Sequence, residues 1–101
     1  MSKSYQELEA KVLEWADDKG IFEKGNSKAQ HLKTIEEVKE LGDALILNDR
    51  PEIIDALGDI LVTIIIQSEM QGLNLEACLE SAYNVISKRT GKMENGTFVK
   101  D

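Results

Sequence analysis

Two short stretches of the sequence each carry a pair of acidic residues at helical spacing. Glu37 and Glu40 are three residues apart, and Asp55 and Asp59 are four residues apart. On a helix these spacings place both carboxylates of a pair on one face, because one turn takes about 3.6 residues. Oxygen ligands without a nearby cysteine or histidine suit Mg²⁺ or Mn²⁺ better than Zn²⁺. The two pairs together therefore predict a site for a hard divalent cation.

The position of Asp59 strengthens this prediction. Asp59 interrupts the apolar stretch "DALGDILVTIII" that begins at Asp55. An ionised carboxylate moved from water into a protein interior costs several kcal/mol unless something compensates it. Asp59 is also more than two turns into its predicted helix, where the helix dipole contributes little. The simpler interpretation of either pair is a solvated helix face, but a cation shared by four carboxylates explains Asp59 better.

Apolar periodicity predicts an all-α chain in which four helices form an antiparallel bundle. The expected helices cover residues 4–19, 27–47, 51–71 and 73–89, and "GIFEKGNS" is expected to be a loop. Pro51 is acceptable only in a first helical turn, and Asn74 is the expected cap of the fourth helix. Asn95 and Gly96 form a strong two-residue turn signal, so residues 92–100 are expected to form a short C-terminal hairpin or hook. Residues 1–101 are expected to be a single domain.

The helical wheel places the acidic residues beside apolar faces. On the second helix, Glu37 and Glu40 fall in one arc with Gln30 and Lys33. The adjoining arc is the expected core stripe of Ile35, Val38, Leu41 and Leu45. On the third helix, Asp55 and Asp59 share a side with Ala56, Val62, Thr63 and Ile66. Both pairs are therefore expected at the edge of an apolar seam.

Composition restricts the possible partners. Twelve basic and nineteen acidic residues give a net charge of −7, which disfavours nucleic-acid polymers and anionic membranes. An acidic protein that binds phosphates needs a cation between the two. The one cysteine, Cys78, and the lack of an apolar run of about 20 residues predict a soluble, cytoplasmic protein. The small core expected of 101 residues also favours oligomerisation.

With these residues in place, the sequence resembles a known family. "KTIEEVKELGDAL" and "DALGDILVTI" are similar to the paired acidic motifs of the MazG-like, all-α nucleoside triphosphate pyrophosphohydrolases. "WADDKGIFEKG" and "YNVISKRTGKMENGTFVK" extend the similarity to the short, single-domain members. The resemblance implies the MazG fold and Mg²⁺-dependent cleavage of (deoxy)nucleoside triphosphates between the α- and β-phosphates, giving monophosphate and pyrophosphate. One departure is that the usual acid three residues before Asp59 is Ala56 here, with Asp55 one position earlier.

The resemblance also implies roles for individual residues. Glu37, Glu40 and Asp59 match metal ligands, and Asp55 is the expected fourth ligand. Glu36 and Glu37 are the expected catalytic pair, with Glu36 orienting or deprotonating the attacking water. The expected substrate-binding residues, which include a base-stacking aromatic and a set of phosphate or sugar contacts, are Trp15, Gln30, Lys33, Asn84, Lys88 and Arg89. For Trp15, a core position that anchors the first helix is the alternative. For Glu36 and Gln30 the alternative is a place on the solvated helix surface. Lys88 and Arg89 are also explained by a favourable interaction with the dipole at a helix C-terminus.

Other functions have to be weighed against this one. A diiron bundle would need Glu-x-x-His pairs, and the only histidine, His31, lies outside such a motif. A non-catalytic helical dimerisation module, or a degenerate MazG relative, is the remaining alternative. Thermal melting with and without Mg²⁺ separates these possibilities, because only a metal site gains stability from the ion. A homodimer or tetramer is expected for the enzyme, and the nucleotide preference is left open.

Overall fold

The computed structural model describes residues 2–101 and is predominantly helical. Five helices precede a two-stranded antiparallel hairpin, in the order α1 Tyr5–Asp18, α2 Ile21–Lys24, α3 Ser27–Leu47, α4 Arg50–Met70, α5 Leu75–Ile86, β1 Gly91–Glu94 and β2 Thr97–Lys100. The all-α class and the C-terminal hairpin are thus confirmed. No helix within residues 2–101 has both the length and the apolar character needed to cross a membrane.

The four long helices begin at residues that are chemically suited to cap them. The side chains of Ser4, Asn26, Asp49 and Asn74 each accept a hydrogen bond from the backbone N–H three residues later. These bonds satisfy N–H groups that have no partner within the helix. Pro51 lies in the first turn of α4, as predicted.

Two expectations about the helices were wrong. The expected loop contains α2, a single turn that Gly20 permits by adopting a left-handed backbone conformation (φ 77°). Four residues are too few to produce an apolar period in the sequence. The last helix, α5, ends at Ile86, so that Lys88 and Arg89 follow it. Their N–H groups bond to carbonyls three residues back, at 3.3 and 3.1 Å, which is the tighter geometry common at helix ends.

The centre of the fold is the antiparallel hairpin of α3 and α4. Asn48, in the left-handed region, and Asp49 connect the two helices. Polar side chains join the helices across their interface: the Thr34 hydroxyl donates to Thr63 Oγ1 (2.9 Å), and Gln30 Nε2 donates to the Thr63 carbonyl (3.1 Å). Helix α1 packs on α4, whereas α5 contacts α4 only sparingly. The site residues of α3 and α4 are therefore held by the best-packed part of the chain.

The buried core is small, and three of its five apolar members are alanines. Its apolar members are Ala16, Ala44, Ala56, Ile65 and Ile66. Within residues 2–101, no large side chain is fully buried. Alanines at a helix contact allow the two backbones to approach closely, but they remove little apolar surface from water.

Three of the four residues in the expected core stripe of α3 are exposed in this chain, and the fourth, Leu41, is half-buried. Ile35, Val38 and Leu45 are 50%, 51% and 56% exposed. The face that α3 presents to α4 instead carries Thr34 and Ala44. Helix α3 has one main neighbour in the chain, so only one narrow face can be buried. On α4 the expected side was correct, since Ala56, Thr63 and Ile66 are buried.

The C-terminal hairpin turns at the predicted residues, Asn95 and Gly96. Gly91 pairs with Lys100, and Glu94 pairs with Thr97. Asn95 and Gly96 both have positive φ, 49° and 86°, which is the requirement of a tight two-residue turn that matches strand twist. Both strands are exposed along their length.

Candidate metal and nucleotide site

The α3–α4 hairpin brings three carboxylates together. Glu37, Glu40 and Asp59 each offer an oxygen, and these oxygens lie within 4.8 Å of one another. Glu37 and Glu40 lie one turn apart on α3, and Asp59 comes from α4. We call this group the acidic cluster. It is formed by residues from both acidic pairs of the sequence.

The acidic cluster is strained electrostatically when no cation is present. Burial raises the pKa of Glu37 above its usual 4.5, and the neighbouring Glu40 and Asp59 raise it further. Burial likewise raises the pKa of Asp59 above its usual 3.8, with Asp55 and Glu40 adding to the effect. Burial and the neighbouring carboxylates make the ionised forms unfavourable, and the positive charge of Lys33 opposes this effect only at Glu37. A divalent cation would reverse that effect, because it favours the ionised form of every carboxylate that it contacts.

One atom of the acidic cluster is without a partner. Glu37 Oε2 is buried and accepts no hydrogen bond from any residue between 2 and 101. A buried polar atom without a partner costs about 1–3 kcal/mol. Three convergent carboxylates, one of them with a buried free oxygen, fit the oxygen ligand set of Mg²⁺ or Mn²⁺.

The structure places two further acidic residues differently. Asp55 lies next to Asp59, close enough to raise its pKa, but it is outside the group of three oxygens within 4.8 Å. Glu36 points to the exposed side of α3, where its carboxylate forms an ion pair with Lys33 Nζ at 3.2 Å. The position of the usual family acid, Ala56, is buried in the helix contact.

A cavity of about 380 Å³ adjoins the acidic cluster. Glu37 and Asp59 form part of its wall, together with three of the expected substrate-binding residues, Trp15, Gln30 and Lys33. Its apolar wall includes Ile21, Val62 and Ile66. Trp15 is 49% exposed and lines this cavity, so it does not anchor α1 in the core.

The amide of Gln30 has a fixed orientation. Because Nε2 donates to the Thr63 carbonyl, the amide nitrogen and oxygen are distinguished by their partners. The Thr63 hydroxyl in turn donates to the Ile60 carbonyl at 2.7 Å, so the side chain of Thr63 is held by its own helix, α4. No described residue donates a hydrogen bond to the oxygen of Gln30, and Gln30 forms part of the cavity wall.

Sequence reasoning missed several residues around the acidic cluster. Ile21 and Asn26 line the cavity, and α2, which packs against α1, forms part of the expected loop. Lys11 lines a second cavity, which shares Trp15, Asp59 and Val62 with the first. Lys11 could have been found from its spacing, because it lies four residues before Trp15 and therefore on the same helix face.

The remaining expected substrate-binding residues lie elsewhere in the chain. Asn84 is on α5, and Lys88 and Arg89 are in the turn that follows it. None of the three lines either cavity at Asp59. The weak contact between α5 and α4 is the reason, since it leaves the end of α5 away from the α3–α4 hairpin.

The fold and the acidic cluster define an all-α protein that presents carboxylates from a helical hairpin beside a cavity. Residues 26–94 match the family model of the MazG nucleotide pyrophosphohydrolase domain, and the chain belongs to that family. It is accordingly a hydrolase of phosphoric anhydrides. This finding confirms the family resemblance seen in the sequence.

A solved structure shares the fold over the whole chain. It is described as the cyanophage S-2L MazG-like pyrophosphohydrolase bound to dGDP and three catalytic Mn²⁺ ions per active site. The two chains superpose with a TM-score of 0.71 over 99% of each, at 18% sequence identity. No curated protein sequence matches the chain.

Proposed function

We propose that this protein is a divalent-metal-dependent pyrophosphohydrolase that cleaves nucleoside or deoxynucleoside triphosphates between the α- and β-phosphates. The observation that carries the proposal is the acidic cluster at the wall of an apolar cavity. Mg²⁺ is the proposed ion, and Mn²⁺ is an alternative of the same ligand chemistry. The MazG-like enzyme of cyanophage S-2L is described with nucleotide and Mn²⁺ bound, which supports a site of this class.

The chain's own residues supply the ligands and the attacking water's base. Glu37, Glu40 and Asp59 would hold the cation. Asp55, which lies next to Asp59, is proposed as a further ligand. The ion, once bound, lowers the pKa of water and stabilises charge on phosphate oxygens. Glu37 is the proposed group that orients the water, since its Oε2 is buried and unpartnered. Glu36 would take part in catalysis only after leaving its ion pair with Lys33.

The cavity provides a place for the nucleoside. Trp15 is the proposed stacking surface for the base, because its ring is half exposed at the cavity wall. The free oxygen of Gln30 would accept a hydrogen bond from an N–H of the base or a hydroxyl of the sugar. Lys33 lines the same cavity and lies on α3 between Gln30 and Glu37, so it is placed to contact the α-phosphate.

We also propose that the protein is a homodimer or a tetramer. Its accessible surface is 8011 Å², whereas a compact monomer of 11.3 kDa exposes about 5,700 Å². The Cα radius of gyration of 15.9 Å also exceeds the roughly 12.7 Å of a compact chain of this length. Each of the helices α3, α4 and α5 carries exposed apolar side chains. They are Ile35, Val38, Leu45, Ile54, Leu57, Leu61, Ile64, Leu79, Tyr83 and Ile86.

A second copy is the occupant that fits this exposed apolar surface. The excess of about 2,300 Å² per chain is of the size that obligate oligomers bury. A second copy would also offer Asn84, Lys88 and Arg89 a site to act on, since they do not reach the acidic cluster of their own chain. We further propose that residues 1–101 form one domain and that the protein is cytoplasmic, in keeping with the free, exposed Cys78.

The activity is tested by incubating the protein with canonical and modified nucleoside triphosphates in the presence of Mg²⁺ or Mn²⁺. The expected products are monophosphate and pyrophosphate, and orthophosphate should be absent. Glu37→Gln should abolish turnover, while Glu14→Gln, an exposed change of the same kind on α1, should not. If no nucleotide is hydrolysed and the melting temperature is unchanged by either ion, the non-catalytic dimerisation module would be favoured.

A further inference from the structure

Two cavities meet at Asp59, and each is lined by one lysine. The first, described above, contains Lys33. The second, of about 360 Å³, lies between α1 and α4 and is lined by Leu8, Lys11, Val12, Trp15, Asp59 and Val62. Trp15, Asp59 and Val62 thus form the wall that both cavities share. A ligand centred on Asp59 can extend into both.

The two lysines differ in their present partners. Lys33 is held by Glu36 at 3.2 Å. Lys11 has no carboxylate oxygen within 4.0 Å among residues 2–101. The side chain of Lys11 therefore lines the cavity at Asp59 without an ion-pair partner among the described residues.

A triphosphate needs more positive charge than the first cavity offers. Three or four carboxylates offset the charge of bound divalent cations, and Lys33 is partly neutralised by Glu36. The second cavity is mainly apolar, which suits the four-carbon stem of Lys11 and leaves its ammonium group free to bind an anion. If the nucleoside occupies the cavity with Gln30, the rest of the phosphate chain extends past Asp59 on the α1 side.

We propose that Lys11 binds the β- and γ-phosphates of the substrate, the part that leaves as pyrophosphate, from the cavity between α1 and α4. This proposal rests on the proposed function and adds to it a substrate-binding residue on α1. It gives the two lysines separate roles. Lys33 faces the nucleoside monophosphate part, and Lys11 faces the leaving group.

The test uses the full chain and compares Lys11→Met with Lys11→Arg. Hydrogen bonds to charged groups are stronger than those between neutral groups, so loss of the ammonium group should weaken phosphate binding measurably. Lys11→Met is expected to lower kcat/KM for a triphosphate about tenfold or more and to raise the inhibition constant of inorganic pyrophosphate by a similar factor. Inhibition by the nucleoside monophosphate should change less than twofold. Lys11→Arg should retain most of the wild-type values.

Lys19→Met is the matched control, because Lys19 follows the same helix and its side chain lines neither cavity. An unchanged pyrophosphate inhibition constant in Lys11→Met would overturn the proposal. So would an effect confined to the monophosphate, or a loss that follows a lowered melting temperature. The proposed function fails separately, if wild-type protein hydrolyses no nucleotide at all.

Discussion

Replacing Asp59 by Asn should affect the metal-free protein and the enzyme in opposite directions. Asn keeps the shape of Asp59 and one acceptor oxygen but removes the charge. Two unit charges 4.8 Å apart repel by about 1 kcal/mol in water-like surroundings and by about 3 kcal/mol at an effective dielectric constant of 20. Raised pKa values for Glu37 and Asp59 mean that proton uptake already relieves part of this repulsion. A gain of about 1 kcal/mol, or roughly 4–8 °C in melting temperature, is therefore expected without metal.

The same substitution should greatly reduce catalysis. Asp59 is a proposed ligand of the divalent cation, and the charge stabilisation that such an ion provides is worth several kcal/mol. Because each 1.4 kcal/mol is a factor of ten in rate, kcat should fall by about a hundredfold or more. The stabilisation that Mg²⁺ or Mn²⁺ gives to wild-type protein should also become smaller in the variant.

The assay combines melting curves, with chelator and with added metal, and initial rates of pyrophosphate release. Asp18→Asn, at the exposed end of α1, controls for the change in net charge. A structural Asp59, held by hydrogen bonds that the fold needs, would give the reverse pattern. A variant that melts several degrees lower without metal and whose folded fraction keeps full activity would refute the assignment.

Further predictions concern pH, assembly and the remaining substrate contacts. Because the pKa values of Glu37 and Asp59 are raised in the folded state, the native protein binds more protons than the unfolded chain above about pH 4. Without metal, its free energy of unfolding should therefore fall as pH rises through the raised pKa values. Saturating Mg²⁺ should weaken or reverse that trend. Melting curves from pH 4 to 8 that show no such decrease in stability would contradict the electrostatic account. Sedimentation at micromolar concentration should show a dimer or tetramer, and a monomer alone would contradict the surface argument. Lys88→Ala and Arg89→Ala should raise KM or lower kcat with the melting temperature nearly unchanged. Unaffected kinetics in both variants would show that Lys88 and Arg89 are solvated surface residues without a role in substrate binding. Trp15→Ala should raise KM for nucleotides more than it raises the inhibition constant of pyrophosphate, and equal effects on both would argue against base stacking.

The sequence by itself determined where the four long helices begin and where the C-terminal hairpin turns. Helix starts are local events, decided by a capping side chain and the N–H group three residues later, so Asn74 and Pro51 could be interpreted without knowledge of the rest of the fold. The turn at Asn95 and Gly96 is local for the same reason. The acidic residues could be assigned to helix faces because the helical period is fixed, and the similarity of their motifs to the MazG family was correct.

Only the tertiary structure decided which faces meet. The helical wheel predicts that Glu37 lies beside an apolar core stripe on α3, whereas α3 packs on α4 through Thr34 and Ala44. Burying that face desolvates Glu37 and brings it to Asp59, which lies 22 residues later in the chain.

The same limit applies to the residues around the acidic cluster. Asp55 and Glu36 had the right spacing, yet the structure places one beside Asp59 alone and the other in an ion pair with Lys33. Lys11 showed no signal beyond its spacing from Trp15, but the packing of α1 on α4 brings it to a cavity at Asp59. Helical periodicity fixes directions around one helix axis, while the distances between helices depend on side-chain packing that no single segment contains.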